Sequence, residues 1–344
     1  MPDILILRGP GEVLGAFALS ALVILAAGTR LSSVADRLAD RTGLGEALVG
    51  SVLLGAATSL SGLVTSVAAA ADGLPSLAVS NSLGGIAAQT LFLAAADIAH
   101  RRANLEHAAA SLENLLQGTV LLGALSLLAM AIAVPDLSVL GVHPVSVIVI
   151  GFYLVGLKTT QSARAVPGWR ARLTAETRAD EPDPAAAAES ARRLGGEFLL
   201  LALVTALAGF VVSRAAAGAT QTFGLTETVA GGLLAALVTS LPELVTTVAS
   251  VRRGALTLAV GGIIGGNAFD ILFVAASDFA YPEGPIFAAI GPQQLFQIGL
   301  ASAMTAVVVM GLLRRQERGP AGIGFETWVV IALYLGGSAM LLRG

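Results

Sequence analysis

Glu243, in the stretch TSLPELVTT (239–247), and Asp270, in GGNAFD (265–270), are carboxylates set near the middles of long apolar runs. A lone acidic side chain at the centre of a membrane helix costs about 2.5–3.5 kcal/mol on insertion scales, so each needs a cation, a proton or a polar partner. The neighbours are hard oxygen donors. Thr239 stands one turn before Glu243 on the same helical face, Ser240 follows it, and Asn267 stands three residues before Asp270. Pro242 has no N–H and obstructs the carbonyl one turn earlier, which leaves oxygens around Ala236 and Thr239 to face an ion. Carboxylate, hydroxyl, amide and carbonyl oxygens without Cys or His suit Ca²⁺, Na⁺ or another hard cation and not a soft transition metal. The alternative is that the acids only tie helices together, through interhelical hydrogen bonds worth about 1 kcal/mol each.

The elements that must position these residues cross a membrane. Of 344 residues, 55% are hydrophobic and only 12% charged, with a mean hydropathy of +0.82, whereas about a quarter of a soluble domain is charged. Ten apolar stretches stand out, at 12–30, 44–71, 76–99, 106–134, 143–161, 195–216, 225–251, 255–280, 285–313 and 323–342. About 20 residues at about 1.5 Å each cover a hydrocarbon core of about 30 Å. Richness in Ala, Leu, Val and Gly without alternation indicates helices rather than barrel strands. The first stretch lacks a cleavable-signal pattern and is expected to stay in the protein. A polar segment, 162–194, divides the chain and reads as a solvated cytoplasmic linker. With it inside, all of the 20 Lys and Arg residues except Arg8, Arg214 and Arg343 fall on the cytoplasmic side, which predicts both termini outside.

The two halves are copies. An offset of 181 residues matches Gly28 with Gly209, Glu46 with Glu227, Gly118 with Gly299 and Tyr153 with Tyr334; it also lays TSLSGLVTS (58–66) on TSLPELVTT and TLFLAAAD (90–97) on ILFVAASD (271–278). Five spans per half is an odd number, so the second copy enters the membrane inverted, as in secondary transporters that bind substrate at mid-membrane where the copies meet. Thr58 and Ser59 occupy the places of Thr239 and Ser240, but Gly62 stands for Glu243, Gln89 for Asp270 and Ile86 for Asn267. A shared cavity therefore carries two fixed charges, both from the second half. Asp97 and Asp278 are mirror-image candidates for the two mouths of a pathway or, equally, for helix caps. Glu46 and Glu227 suit first-turn positions in the helix dipole.

TSLPELVTT followed by GGNAFDILF, within an inverted five-plus-five duplication, resembles the alpha-repeats of the calcium/cation antiporter superfamily, which includes sodium/calcium and proton/calcium exchangers. The resemblance implies an all-α fold of ten transmembrane helices, with two helices sliding across a rigid core of eight. It implies ions held by Thr239, Ser240, Glu243, Asp270 and the Ala236 carbonyl, with Asn267 in support, and by Thr58, Ser59 and Gln89 from the first repeat. The first repeat departs from the pattern, because the family usually has proline and a second ion-binding glutamate where this chain has Ser61 and Gly62, and Gly-Ser-Asn is missing from SLGGIAAQ (82–89). Two acids balance one divalent ion, two monovalent ions or two protons, so three-for-one sodium/calcium exchange does not follow, and proton coupling stands beside sodium coupling. The expected function is an inner-membrane antiporter of Ca²⁺ against Na⁺ or H⁺. Alternatives are the same fold moving a monovalent or other divalent cation, or a non-transporting sensor or scaffold. Nothing calls for a cofactor or a nucleic-acid partner; the partners expected are inorganic cations and the lipid bilayer. No nucleophile–base pair or histidine cluster points to an enzyme.

Overall fold

The computed structural model describes residues 7, 9–42, 57–100, 103–165, 168, 169, 171, 174, 190–319 and 322–343. Helix α1 (Pro10–Val23) runs through a π-turn (Ile24–Gly28) into α2 (Thr29–Thr42), and α3 (Leu60–Ala71), α4 (Pro75–His100), α5 (Leu105–Ala109), α6 (Leu112–Ala133) and α7 (Pro144–Ala165) complete the first half. The second half holds α8 (Ala191–Phe223) and α9 (Glu227–Val229), which passes through a π-turn (Ala230–Ala235) into α10 (Ala236–Thr239). It continues with α11 (Leu241–Arg253), α12 (Leu256–Ala280), α13 (Pro292–Arg314) and α14 (Phe325–Leu341). Among the described residues seven helices are long and apolar enough to cross a membrane, eight if the bent run from α9 to α11 is one span; α3 and α14 are shorter apolar helices. Each of the ten expected stretches thus contains a helix. Residues 43–56, including Glu46, and most of the linker lie outside the described residues.

Burial ranks the helices. The apolar window of α4 is 94% buried and that of α12 is 67% buried, against 28% for α1–α2 and 33% for α8. The acid-bearing partners α4 and α12 therefore form the centre, and α1 and α8 lie outside, turning Leu14, Leu19, Leu22, Leu199, Leu203 and Leu207 outward. In lipid such exposure carries no penalty, and backbone polar groups stay paired within the helices.

Two expected spans begin later than their apolar composition suggests. The stretch 106–134 divides into α5 and α6, and 285–313 divides into a 3₁₀ turn (Ile286–Ala289) and α13. The cause is the same at both ends. Asp97 Oδ1 accepts the Leu105 N–H at 2.8 Å, and Asp278 Oδ1 accepts the Ile286 N–H at 2.7 Å, so each acid holds a short separate turn against its own helix before the next span starts.

Close approach places the outer helices on the site. A Cβ at Gly28 would lie 2.6 Å from the Pro242 ring, and one at Gly209 would strike the Ser61 carbonyl. Gly28 and Gly209 correspond at the 181-residue offset, and so do Ser61 and Pro242. Each outer helix therefore crosses the broken helix of the opposite half with its backbone in contact.

Candidate ion-binding site

Both copies of the repeated phrase break their helix at the same point. Ser240 has φ −92°, ψ 5°, and its counterpart Ser59 has φ −85°, ψ 2°, in the sparsely populated bridge region. The axes on either side of Ser240 meet at 43°. Proline is not the whole cause, because the first copy breaks equally with Ser61 in place of Pro242. There the Ser61 hydroxyl donates to the Thr239 carbonyl at 3.2 Å, so the two breaks are tied to each other. The Ala236 carbonyl differs from expectation: it accepts the Ser240 N–H at 3.1 Å and the Thr239 hydroxyl at 3.3 Å, and is held within its helix.

At these breaks the polar side chains converge. Thr58, Ser59, Gln89, Thr239, Ser240, Glu243, Asn267 and Asp270 are all buried. The Ser59 hydroxyl donates to Glu243 Oε1 at 3.3 Å. The Gln89 amide donates to Asp270 Oδ2 at 2.6 Å and to Ser240 Oγ at 3.4 Å. Asn267 donates to Thr90 Oγ1 at 3.1 Å, joining α12 to α4. Four oxygens are nevertheless buried without a donor: Glu243 Oε2, Asp270 Oδ1, Gln89 Oε1 and Asn267 Oδ1. Buried oxygen acceptors of this kind call for a proton, water or a cation. Among the described residues no three acids or histidines gather to hold a metal, so the fixed charge at this point is that of two carboxylates.

The place of the missing first-repeat acid is filled. A Cβ at Gly62 would lie 2.8 Å from Phe273 Cε2 and 3.6 Å from Thr239 Oγ1. The Phe273 ring, itself buried and edge-on to Phe269 with centroids 6.1 Å apart, takes the volume a side chain there would need.

Asn81 escaped the sequence reading. Its amide nitrogen donates to the Gly62 carbonyl at 3.1 Å and to Ser66 Oγ at 2.9 Å, and its oxygen accepts from Thr239 at 3.5 Å. Neighbouring Ser82 donates to the Asp270 carbonyl at 2.7 Å. Their position about two turns before Gln89 on the same helix was the available signal, hidden because the repeat partners are Gly262 and Ile263.

Asp97 and Asp278 lie at opposite ends, away from this cluster, as caps. Besides its own turn, Asp97 Oδ2 accepts the Gly324 N–H at 3.1 Å and the Thr327 hydroxyl at 2.7 Å; Asp278 Oδ2 accepts the His143 N–H at 2.9 Å and the Ser146 hydroxyl at 2.6 Å. Each acid thus caps the last helix of the other half, and every partner corresponds at the 181-residue offset. Glu227 sits in the first turn of α9 and accepts the Leu77 N–H of α4 at 3.3 Å.

Fold and site together define an all-α, polytopic integral membrane protein of the sodium/calcium exchanger fold. The chain belongs to the family described as sodium/calcium exchanger protein, whose model matches residues 12–159 and 194–340; both the family and the structural neighbours are exchange transporters rather than enzymes. The Escherichia coli (strain K12) inner membrane protein YrbG is 31% identical over 116 residues, which is 33% of this chain and 36% of that protein. The sodium/calcium exchanger MaX1 of Methanosarcina acetivorans is 43% identical over 63 residues, 18% of each chain. The matched regions thus span about a third or less of these curated relatives. Among solved structures, an H⁺/Ca²⁺ exchanger, CAX, superposes with a TM-score of 0.68 at 15% identity, covering 96% of this chain and 86% of that one. The sodium-calcium exchanger NCX_Mj gives 0.58 at 18% identity, covering 95% and 97%.

Proposed function

We propose that this chain is a secondary antiporter that carries a hard cation, Ca²⁺ in the first place, against Na⁺ or H⁺ by alternating access across the bacterial inner membrane, with both termini outside. The observation that carries this reading is that Glu243, Asp270 and Gln89, linked through Ser59 and Ser240, each keep a buried oxygen without a donor. Glu243 and Asp270 supply charge, and Thr239, Ser240, Thr58, Ser59 and Gln89 complete the coordination. Asn267 positions α12, and the Ala236 carbonyl contributes after local rearrangement of its turn.

Charge counting constrains the exchange. Two carboxylates are neutralised by one Ca²⁺, two Na⁺ or two protons, and the ring of Phe273 at Gly62 leaves no place for a third acid. A two-for-one exchange, with protons or sodium replacing calcium, follows. The outer helices α1 and α8, whose glycines cross Ser61 and Pro242, are the elements whose sliding would expose the site to one side and then the other.

Purified protein in sealed vesicles tests this directly. Ca²⁺ uptake is expected when an outward Na⁺ or H⁺ gradient is imposed, and Glu243→Gln is expected to abolish it. Na⁺ or K⁺ flux without Ca²⁺ flux would favour a monovalent-cation antiporter, and ion-dependent stabilisation with no gradient-driven flux would favour a sensor.

A further inference from the structure

The two capping nodes built by Asp97 and Asp278 are alike in every hydrogen bond, yet they differ in what surrounds them. At the Asp278 end the positions one residue after Ile286 and one before Ser146 are Phe287 and Val145, which are apolar, and Phe287 packs on the His143 ring with centroids 5.0 Å apart. At the Asp97 end the corresponding residues are Glu106 and Glu326, exposed by only 2% and 1%. The cap therefore forms without these acids, and packing alone gives no reason for burying two of them.

The Asp97 carboxylate is satisfied by three donors, but its neighbours are not. Glu106 Oε2, Glu326 Oε2 and the Asn104 oxygen are buried without a donor, although Asn104 is fully enclosed and its nitrogen donates to Glu326. Both glutamates lie against Gly311, where an added Cβ would sit 2.9 Å from Glu326 Cδ and 3.1 Å from Glu106 Cγ. Among the described residues, Arg314, Arg315 and His107 of the packed elements each have a partner outside this pair. On α13 the Arg314 guanidinium lies 5.1 Å over the Phe325 ring, and Arg315 donates to the His107 carbonyl. His107 of α5 meets the Arg315 carbonyl through Nδ1 at 2.7 Å. Glu317 and Arg318 of the following loop are exposed, and on α4 the remaining groups are Asp97 itself and the half-buried His100. With no cation between them among the described residues, two facing carboxylates cannot both be ionised at low cost.

We propose that Glu106 and Glu326 form a proton-binding site at the arginine-rich, cytoplasmic end, separate from the ion cavity, in which one proton is shared between the two carboxyls and fastens the α13–α14 hairpin of the second half to α5 of the first. Burial first, then the Glu326 and Asp97 charges, pushes the carboxyl of Glu106, on the short helix outside the spans, well above the usual carboxylate range. Because Glu106 holds its proton more tightly in the folded protein than in the unfolded chain, the stabilisation is present on the acid side and is lost as pH rises. If the antiporter reading holds, loss of this proton from the cytoplasm also loosens the hairpin and changes exchange.

The test uses the full chain in lipid, in a Glu243→Gln/Asp270→Asn background that removes the ion-site carboxyls. Infrared difference spectra on raising the pH should show a protonated-carboxyl C=O stretch that disappears, and either Glu106→Gln or Glu326→Gln alone should eliminate it. Melting of otherwise unaltered protein should fall on the alkaline side, whereas Glu106→Gln should be pH-insensitive there and Glu106→Ala weaker at every pH. A band that survives both Gln substitutions, an absent band, or one displaced by Ca²⁺ or Na⁺ at constant pH would overturn the proposal. None of these readouts requires transport, so they stand or fall apart from the antiporter reading.

Discussion

At the scale of single residues, the site is defined by oxygens that lack partners and by one ring that occupies a vacancy. Gln89 donates to Asp270 at 2.6 Å while its own oxygen stays without a donor. Gln89→Leu removes both, and ion affinity measured by calorimetry in detergent should weaken about tenfold, the ~1.4 kcal/mol scale of one charge-assisted hydrogen bond. The Gly62 position gives a sharper outcome. Gly62→Glu alone drives a side chain into Phe273 and should reduce stability by about 1–3 kcal/mol through overpacking. Combined with Phe273→Ala it should fold better than the single variant and change the number of ions carried per cycle, read as the reversal potential of exchange in vesicles. Unchanged stoichiometry in a folded, active double variant would place Gly62 outside the ion path.

At the scale of elements, the caps join the two halves to each other. Asp97 belongs to α4 but fastens the start of α14, and Asp278 belongs to α12 but fastens the start of α7. Replacing Asp278 with Ala leaves the His143 and Ile286 N–H groups and the Ser146 hydroxyl unpaired. At about 1–3 kcal/mol for a buried orphaned group, the melting temperature should drop clearly even with the ion site intact, and Asp97→Ala should do the same. A selective effect on ion affinity with no loss of stability would restore the reading of these acids as pathway mouths. The crossings make a separate prediction: Gly209→Val places a branched side chain against the Ser61 backbone, and exchange should slow more than ion binding weakens if α8 moves over that contact.

At the scale of the whole molecule, the proposed orientation rests on charge. Arg214, one of the three basic residues that this orientation places outside, is paired with Asp72 at 2.6 Å, so its charge is compensated. The chain has no cysteine, which makes single introduced thiols clean reporters. Ser138→Cys, in the exposed loop between α6 and α7, should react with an impermeant reagent from outside whole cells, and Glu317→Cys, between α13 and α14, only after the membrane is opened. The opposite pattern would invert the assignment of both termini and move the Glu106–Glu326 pair to the outer face.

Much of this protein was legible in one dimension. Hydrophobic length identified the spans, self-similarity at 181 residues aligned Ser59 with Ser240, and the cost of a charge in lipid singled out Glu243 and Asp270, because each is a property of a residue and its neighbours along the chain. The tertiary structure alone decided what depends on neighbours across it. It assigned Asp97 and Asp278 to reciprocal caps, filled the Gly62 place with a phenylalanine 211 residues away, brought Asn81 to Thr239, and closed two glutamates from distant segments on each other. These contacts join residues of one half to residues of the other, far apart in the chain, and such pairing has no signature in the order of the sequence.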